Sequence, residues 1–343
     1  MTPDDEVLLE VRDLRVVFPS SEGPVTAVDG VNLSLRRGEV LAVVGESGSG
    51  KSATVLTLVG LTRRKGTQIS GEVRYRGRDL LVASESELRR VRGAELAMIF
   101  QDPLTSLNPL QRIGTQIAEM LRLHTSLSAK AAWAEAERLL GEVGIPRAVA
   151  QARAYPHEFS GGMRQRAMIA MALACNPGIL IADEPTTALD VTIQAQVLSL
   201  IKRLKDEHGA AVIIITHDLG IVADIADRVA VMYAGRIVEE APRDELFRNP
   251  QHPYTWGLLG SLPRLDRPKV ERLRPIEGLP PSLIALPEGC RFRPRCGQAY
   301  GQCLNTPALE ARLRRSDHRD ACWLEPDEKL GRRHAVIDAE TAE

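Results

Sequence analysis

The sequence has 343 residues, of which 44% are hydrophobic and 26% are charged. This is an ordinary globular composition that excludes wholesale disorder, and the length suits one large domain or one domain with an appendage. Lys and Arg number 44 against 45 Asp and Glu, which gives a net charge of −1. A nucleic-acid-binding protein normally has an excess of basic residues, so we expect no nucleic-acid partner.

The N-terminal segment, residues 1–10, is acidic and lacks the basic and then apolar layout of a signal peptide. Apolar runs such as 167–175 and 210–215 are far shorter than the about 20 residues that span a bilayer. We therefore expect a protein kept in the cytosol, whose membrane contact goes through a partner.

Strand and helix patterns alternate through the first two thirds of the chain. Alternating apolar and polar residues predict a strand over 6–17, and short apolar runs predict buried strands. The buried strands cover 39–45, 179–183, 212–216 and 229–233, and helical patterns cover 50–61, 129–143, 161–174 and 192–207. This alternation predicts an α/β domain with a mainly parallel sheet. A mostly helical pattern over 102–175 indicates an inserted helical subdomain.

Proline becomes frequent after about residue 241, and the alternation ends there. We expect residues 264–343 to be rich in loops, with short helices at most.

Residues 45–52 read GESGSGKS and fit the pattern GxxxxGK[ST] at every fixed position. They follow a predicted strand and open a predicted helix, which is the context in which this pattern binds nucleotide phosphates. Glycines let backbone N–H groups approach the phosphates closely, Lys51 would reach the β- and γ-phosphates, and Ser52 would ligate Mg²⁺. The alternative is a chance Gly/Ser loop. The candidate binding residues are Gly45, Glu46, Ser47, Gly48, Ser49, Gly50, Lys51 and Ser52.

The apolar run over 179–183 ends in two acids, Asp183 and Glu184. At the end of a strand, Asp183 would hold Mg²⁺ indirectly, through another ligand of the metal or through water. Glu184, one residue further, would orient and deprotonate the attacking water. Taken alone, the pattern also fits a solvated strand end.

Residues 159–166, between these two motifs, read FSGGMRQR and resemble the signature sequence of ATP-binding cassette (ABC) ATPases. Other elements of that family occur in order. Gln101 in IFQDP resembles the Q-loop, residues 188–190 (ALD) resemble the D-loop, and His217 in ITHD resembles the switch histidine. The resemblance covers about residues 7–250.

The resemblance implies a fold and a set of ligands. The fold is an α/β P-loop NTPase (RecA-like) core with an antiparallel β subdomain and an inserted helical subdomain. Residues 1–262 would form this nucleotide-binding domain, and 263–343 a small, loop-rich C-terminal extension that contains four cysteines. The implied ligands are ATP and Mg²⁺, the latter held by Ser52, Gln101 and Asp183.

The family resemblance also implies a head-to-tail dimer that encloses two nucleotides. Ser160, Gly161 and Gly162 would contact the γ-phosphate bound to the opposite subunit, since they offer a hydroxyl and backbone N–H groups at the start of a helix. His217 would contact the γ-phosphate, and Asp190 of the D-loop would belong to the same site.

Three residues depart from the family pattern. Phe18 stands where a tyrosine usually stacks on adenine; stacking needs only the ring, although Phe18 also suits the core of the first strand. Phe159 replaces a leucine, and Met163 replaces a glutamine whose hydrogen bond methionine cannot donate. The contacts from Ser160 and the two glycine amides are unaffected.

A finer resemblance links the sequence to the ATPase subunits of bacterial oligopeptide, dipeptide and nickel importers, and to their "D" subunit in particular. It is carried by GESGSGKS, by MIFQDPLTSLNP (98–109), by FSGGMRQR and by NPQHPYTWGLLGSLP (249–263). It implies an ATPase that powers peptide import at the cytoplasmic face of the inner membrane. The implied partners are two permeases, a second and paralogous ATPase subunit, and indirectly a substrate-binding protein. Nickel and glycoside cargo stay open.

Four cysteines, Cys290, Cys296, Cys303 and Cys322, lie close together near the C-terminus. In a reducing cytosol this clustering favours a metal site over disulfides. Zinc sites usually have CxxC pairs, which are missing here, whereas an iron–sulfur cluster also takes four thiolates. The spacing CRFRPRC…C…HRDACW resembles the C-terminal motif of peptide-importer ATPases, some of which carry a [4Fe–4S] cluster. Zinc and plain reduced thiols stay as alternatives.

Two other classes of function are less consistent with the sequence. A non-transport ABC ATPase that acts on nucleic acid or ribosomes usually carries long coiled coils, a zinc hook or two cassettes, and the sequence has none of these patterns. A P-loop kinase or GTPase would not need the signature, the D-loop or the C-terminal extension.

Overall fold

The computed structural model describes residues 6–187, 189–261, 276–313 and 317–337. The chain divides into two compact units. The first unit contains Met1–Leu9, Ser34–Val40 and Arg74–Ile215, and the second contains Glu10–Leu33, Leu41–Val73 and Thr216–Glu343. The domain boundary expected at residue 262 stays a prediction.

The described residues contain the following strands and helices. The strands are β1 (Val7–Phe18), β2 (Val25–Arg36), β3 (Val40–Val44), β4 (Gln68–Tyr75), β5 (Arg78–Asp79), β6 (Leu96–Ile99), β7 (Ile179–Asp183), β8 (Ala211–Thr216), β9 (Arg228–Tyr233), β10 (Arg236–Pro242) and β11 (Arg319–Asp320). The helices are α1 (Lys51–Leu58), α2 (Glu85–Val91), α3 (Pro103–Ser106), α4 (Ile113–His124), α5 (Ala129–Glu142), α6 (Ala148–Gln151), α7 (Gly161–Leu173), α8 (Val191–His208), α9 (Leu219–Ile225), α10 (Arg243–Arg248), α11 (Pro253–Gly260) and α12 (Pro326–Ile337).

Parallel strands form the centre of the first unit, in the order β8-β7-β6. Every residue of β7 and β8 is buried, as expected of parallel strands that are covered on both faces. This burial explains why their sequences are continuous apolar runs rather than alternating patterns. The strands predicted at 179–183 and 212–216 are confirmed, and β7 ends at Asp183.

Helices α3 to α7 lie between β6 and β7 in the chain. Helix α4 packs on α5, and both pack on α7. Ser128 caps α5, where its hydroxyl accepts a hydrogen bond from the Ala131 N–H at 3.3 Å. The helices predicted at 129–143 and 161–174 are confirmed as α5 and α7, with ends that differ by one residue.

The second unit contains strands in the order β11-β10-β9-β3, and most of β2, β1 and β4 lie side by side in another sheet. Strands β3 and β9 are parallel, whereas β9 and β10 form an antiparallel hairpin. Strand β11 pairs with β10 through Glu239 opposite Asp320. The extension therefore adds a strand to the sheet that also holds β3.

The prediction of short helices at most in the extension is wrong. Helix α12 has 12 residues and packs on α11. Its buried face includes Lys329 and Arg333, and Lys329 forms a 2.6 Å ion pair with Asp320. An amphipathic helix is predicted from apolar residues that recur every three to four positions. Because this helix buries cations at some of those positions, the pattern is weak and the helix was not predicted.

Among the described residues, no helix has the combination of length and hydrophobicity that crossing a bilayer requires.

Candidate functional site

The loop at 45–52, here called the phosphate loop, joins β3 to α1 in the second unit. Two of its glycines are fixed by close backbone neighbours. A Cβ on Gly45, whose φ is +152°, would lie 2.1 Å from the Met232 carbonyl oxygen, and one on Gly50 would lie 2.2 Å from that of Ala27. No side chain fits at either position, so the loop backbone packs against its neighbours as only glycine permits.

Lys51, the first residue of α1, is buried and folds back over the phosphate loop. Its ammonium group donates hydrogen bonds to the carbonyl oxygens of Gly45 at 2.7 Å and Glu46 at 2.9 Å. Its side chain is thus held above the loop, where phosphate oxygens would be its strongest acceptors. Ser52 follows on the same turn and is partly exposed.

Glu46 is held by residues far along the sequence. Its backbone N–H donates to the Tyr254 hydroxyl at 2.8 Å. Its carboxylate accepts two hydrogen bonds from the Arg295 guanidinium, at 2.6 and 3.0 Å. The carbonyl of Ser49, further along the loop, accepts from the Gly235 N–H at 2.8 Å. Sequence patterns did not predict Tyr254 or Arg295 as neighbours of this loop.

The two acids at the end of β7, Asp183 and Glu184, belong to the first unit. Asp183 is buried, and Glu184 adopts a φ of +47°, which is rare for a residue with a side chain. The Glu184 carboxylate accepts hydrogen bonds from Gln101 Nε2 at 3.1 Å and from the Thr187 hydroxyl at 2.8 Å. The structure therefore brings together Gln101 and Glu184, two of the predicted site residues, and it adds Thr187, which the sequence patterns did not identify.

The signature residues lie at the start of α7, also in the first unit. Ser160 caps the helix by accepting from the Met163 N–H at 3.3 Å, and both Ser160 and Gly161 are exposed. A Cβ on Gly161 would meet no atom within 4 Å, so this part of the signature faces open space. Gln165, one turn further, donates to the Pro185 carbonyl at 2.7 Å and thereby ties α7 to the turn after Glu184.

Three further predicted site residues lie at the end of a strand or helix, namely Asp190, His217 and Phe18. Asp190 caps α8 through a 2.9 Å hydrogen bond from the Ile193 N–H and is exposed. His217 is exposed directly after β8, and Phe18 is partly buried at the end of β1. Of the predicted D-loop, Ala188 lies outside the described residues.

The four cysteines of the extension, Cys290, Cys296, Cys303 and Cys322, line one cavity in the second unit. All four are free thiols. Burial raises the pKa of the Cys296 thiol to about 11 and that of Cys322 to about 12. Over the described ranges, no three His, Cys, Asp or Glu side chains are grouped closely enough to hold a metal ion. The metal assignment therefore stays a prediction.

Two family models match this chain, the ABC transporter at residues 28–187 and the oligopeptide/dipeptide transporter C-terminal region at 238–303. The oligopeptide transport ATP-binding protein OppD of Salmonella typhimurium is 54% identical over 89% of this chain and 90% of its own length. The chain belongs to the ABC transporter family. The dipeptide transport ATP-binding protein DppD of Bacillus subtilis is 48% identical to this ABC protein over 98% of this chain and 99% of its own.

Solved ABC structures have the same fold. The cassette MJ0796, in a dimeric post-hydrolysis state bound to ADP and Pi, matches with a TM-score of 0.62 and 27% identity over 68% of this chain and 98% of its own. CbiO1 from Clostridium perfringens matches with a TM-score of 0.59 and 27% identity over 71% of this chain and 91% of its own. The predicted α/β fold is confirmed, and the chain is an ATP-binding ABC ATPase.

Proposed function

We propose that this ABC ATPase hydrolyses ATP to power the import of dipeptides and oligopeptides through a membrane transporter. The main support for peptides as the cargo is the match of residues 238–303 to the C-terminal region of oligopeptide/dipeptide transporters. The relatives named OppD and DppD support the same class of cargo. The catalytic chemistry rests on the phosphate loop and on the acids after β7.

In this proposal the phosphate loop binds the phosphates of ATP through its backbone N–H groups and Lys51. Ser52, Gln101 and Asp183 would hold Mg²⁺, since hydroxyl, amide and carboxylate oxygens are the ligands that this hard cation prefers. When bound, Mg²⁺ neutralises charge on the phosphates of the nucleotide. Gln101 donates to Glu184 through its amide nitrogen, and its amide oxygen is the ligand atom. Phe18 would stack on the adenine ring.

Glu184 acts as the general base. It accepts a proton from the attacking water as the water oxygen bonds to the γ-phosphorus and the bond to the β–γ bridging oxygen breaks. Hydrogen bonds from Thr187 and Gln101 fix the carboxylate, which favours a single productive orientation. His217 contacts the γ-phosphate and stabilises its charge.

The signature residues act on a second subunit. Ser160, Gly161 and Gly162 contact the γ-phosphate of a nucleotide held by the opposite ATPase in a head-to-tail dimer, and Asp190 joins the same site. The exposure of Ser160 and Gly161 supports this role, as does the similarity to a cassette solved as a dimer with ADP and Pi. We propose that the opposite subunit is a paralogue of this chain.

The remaining partners follow from the proposed transport function. Two permease subunits form the path through the membrane, and an extracytoplasmic substrate-binding protein delivers the peptide. The ATPase then works at the cytoplasmic face of the inner membrane of a bacterium, bound to the permeases. Residues after Gln101 contact the permeases in this arrangement.

We also propose that Cys290, Cys296, Cys303 and Cys322 hold a [4Fe–4S] cluster, with zinc as the alternative metal. Four thiolates are the ligand set of such a cluster, and the four cysteines line a common cavity. Their side chains are not grouped at metal-binding distances in the described structure, so the proposal rests on the ligand set and the shared cavity alone. When bound, the metal would cross-link segments of the extension that have little apolar core. The absorption spectrum and the iron, sulfide and zinc content of the anaerobically purified full chain test this proposal. Protein that contains neither iron nor zinc contradicts the proposal. Each of the four cysteines is also replaced by serine, and Cys175→Ser is the control for these variants.

The transport function is tested in two steps. Affinity purification of the full chain from bacterial membranes is expected to recover two permeases and a second ABC ATPase. Vesicles that contain this complex are then supplied with labelled dipeptide, oligopeptide, nickel chelate and glycoside. We expect ATP-dependent uptake of peptide that fails in Glu184→Gln. Uptake of the nickel chelate or glycoside alone would overturn the peptide assignment, and recovery of soluble partners alone would overturn transport.

A further inference from the structure

The turn between the first two cysteines of the extension lies against the phosphate loop. This turn, residues 290–296, is closed by backbone hydrogen bonds from Arg293 N–H to the Cys290 carbonyl at 3.0 Å and from Cys296 N–H to the Arg293 carbonyl at 3.2 Å. Its two cysteines line the cavity that all four cysteines share, whereas Arg295 bonds to Glu46 of the phosphate loop and Arg291 to Ala234. One short segment therefore touches both sites.

Arg295 is the stronger of the two links. Its side chain is 4% exposed and binds both carboxylate oxygens of Glu46, which directly follows Gly45 in the phosphate loop. It also donates to the carbonyl oxygens of Glu277 at 2.9 Å and Ile276 at 3.1 Å, and to the Tyr233 hydroxyl at 3.4 Å. A guanidinium with this many partners is rigid, so it holds the Glu46 carboxylate in one place.

Aromatic side chains support the same contact. Tyr233, Tyr254 and Phe292 pack together with ring centroids 4.6 to 5.4 Å apart, and Arg295 lies 5.9 Å from the Tyr233 ring centre. Tyr254 in turn accepts a hydrogen bond from the Glu46 N–H. The backbone and the side chain of Glu46 are thus both fixed from outside the phosphate loop.

Arg291 makes a second link through the hairpin between β9 and β10. It donates to the Ala234 carbonyl and pairs with the buried carboxylate of Asp29. The next residue of the hairpin, Gly235, donates to the Ser49 carbonyl in the phosphate loop at 2.8 Å. The turn at 290–296 therefore contacts the phosphate loop directly at Glu46 and is linked to Ser49 through the hairpin.

We propose that Arg295 is a positioning residue for nucleotide binding, through which the cysteine-containing extension sets the affinity of the phosphate loop for ATP. The proposal rests on the proposed binding of nucleotide by residues 45–52. Arg295 acts in two ways, because it holds the loop in its binding shape and cancels the charge of Glu46. An unpaired carboxylate at this position would repel the phosphates of the nucleotide. A loop that is free to move would also bind the nucleotide more weakly, because binding would have to order it.

The test measures the dissociation constants of the full chain for Mg-ATP and ADP by fluorescence titration. We expect Arg295→Ala to weaken Mg-ATP binding on the order of tenfold, and ADP binding less because ADP carries less charge. Adding Glu46→Gln to Arg295→Ala is expected to restore most of the affinity, since it removes the unpaired charge. A merely structural role for Arg295 would not produce this rescue.

Two controls separate this proposal from its alternatives. Arg293→Ala changes an arginine of the same turn whose side chain lines the cysteine cavity, and it is expected to leave the nucleotide affinity unchanged. Lys51→Ala is expected to lose most nucleotide affinity. Iron and zinc content and the melting temperature are measured for every variant, so that changes in metal content or folding are recognised.

The outcomes are distinct. Unchanged affinity in Arg295→Ala, together with a loss in Lys51→Ala, overturns the role of Arg295 but leaves the proposed function intact. Unchanged affinity in Lys51→Ala overturns the nucleotide site itself. If Arg295→Ala does not fold, the dissociation constants are measured for Arg295→Lys and Glu46→Gln instead. Lysine cannot bind both carboxylate oxygens in the same way, so weaker Mg-ATP binding in Arg295→Lys supports the proposal and wild-type affinity contradicts it.

Discussion

The side-chain amide of Gln101 donates a hydrogen bond of 3.1 Å to the carboxylate of Glu184, 83 residues further along the chain. The same carboxylate oxygen accepts from Thr187 at 2.8 Å. Two donors on one oxygen fix the plane of the carboxylate, so the proposed base and the proposed metal ligand are oriented as one unit. Predictions for this part of the site follow from that arrangement.

Replacing Glu184 by glutamine removes the base but keeps the size of the side chain. We expect ATP to bind with unchanged affinity, while kcat falls by about 10² to 10⁴, because proton transfer from water is lost. Single-turnover hydrolysis and nucleotide titration measure the two effects separately. Glu119→Gln on α4, an exposed glutamate, is the matched control. Normal turnover in Glu184→Gln would remove this residue from the proposed role.

Thr187→Val removes the hydroxyl that donates to Glu184 and keeps the shape of the side chain. The loss of one hydrogen bond to a charged group is expected to lower kcat by about five- to tenfold, with little change in ATP affinity. The control is Thr125→Val, which removes the hydroxyl of an exposed threonine that donates to the Leu121 carbonyl at the end of α4. Equal turnover in the two variants would mean that Thr187 does not orient the base.

Gly45 and Gly48 offer a comparison within the phosphate loop. Alanine at 45 would place a methyl group 2.1 Å from the Met232 carbonyl at a φ of +152°. We expect Gly45→Ala to lower the free energy of unfolding by at least about 2 kcal/mol. Gly48 has a φ of +77° with no atom within 4 Å of an added Cβ, so Gly48→Ala should cost only about 1 kcal/mol. Urea unfolding of the full chain measures both, and equal losses would contradict the packing argument.

His252 predicts a dependence of stability on pH. Full burial lowers the pKa of this histidine from 6.5 to about 4 in the folded protein. Below pH 6.5 the unfolded chain binds a proton that the folded chain excludes, so stability falls as the pH decreases. The loss from this group is on the order of 3 kcal/mol by pH 4 and about 1 kcal/mol at pH 5.5.

The measurement compares urea unfolding at pH 7.5 and 5.5. His252→Asn keeps an acceptor for the Tyr254 N–H at the start of α11 but does not titrate. We expect its stability to fall by about 1 kcal/mol less than that of the wild type between the two pH values. The exposed His157→Asn should behave like the wild type. An identical decrease in His252→Asn would show that His252 is not the titrating group.

Local patterns were sufficient to predict the buried strands and the position of residues 45–52 between a strand and a helix. The GxxxxGK[ST] spacing and the apolar runs record requirements that neighbouring residues impose on each other, so they are visible in a single sequence. Element ends were less exact. The helix predicted at 50–61 ends at Leu58, because Gly60, with a φ of +69°, turns the chain before the apolar pattern stops.

The contacts that sequence patterns missed are those between distant segments. Arg295 and Glu46 are 249 residues apart, and Tyr254 and Glu46 are 208 residues apart. Arginines are frequent between the cysteines, and nothing in their spacing distinguishes Arg295, which binds Glu46, from Arg293. Thr187 was easier to predict than Arg295, because a hydroxyl three residues after Glu184 can reach its carboxylate whenever the chain turns there.

The contact between Arg295 and Glu46 also bears on how the protein is made. A chain grows from its N-terminus on the ribosome, so Glu46 emerges long before the residue that holds it. The contact between the phosphate loop and Arg295 can therefore form only when nearly the whole polypeptide has been synthesised. Nascent chains that stop before residue 295 contain the complete GxxxxGK[ST] motif without the contact to Glu46. If Arg295 has the proposed role, we expect such chains to bind ATP weakly until translation is almost finished.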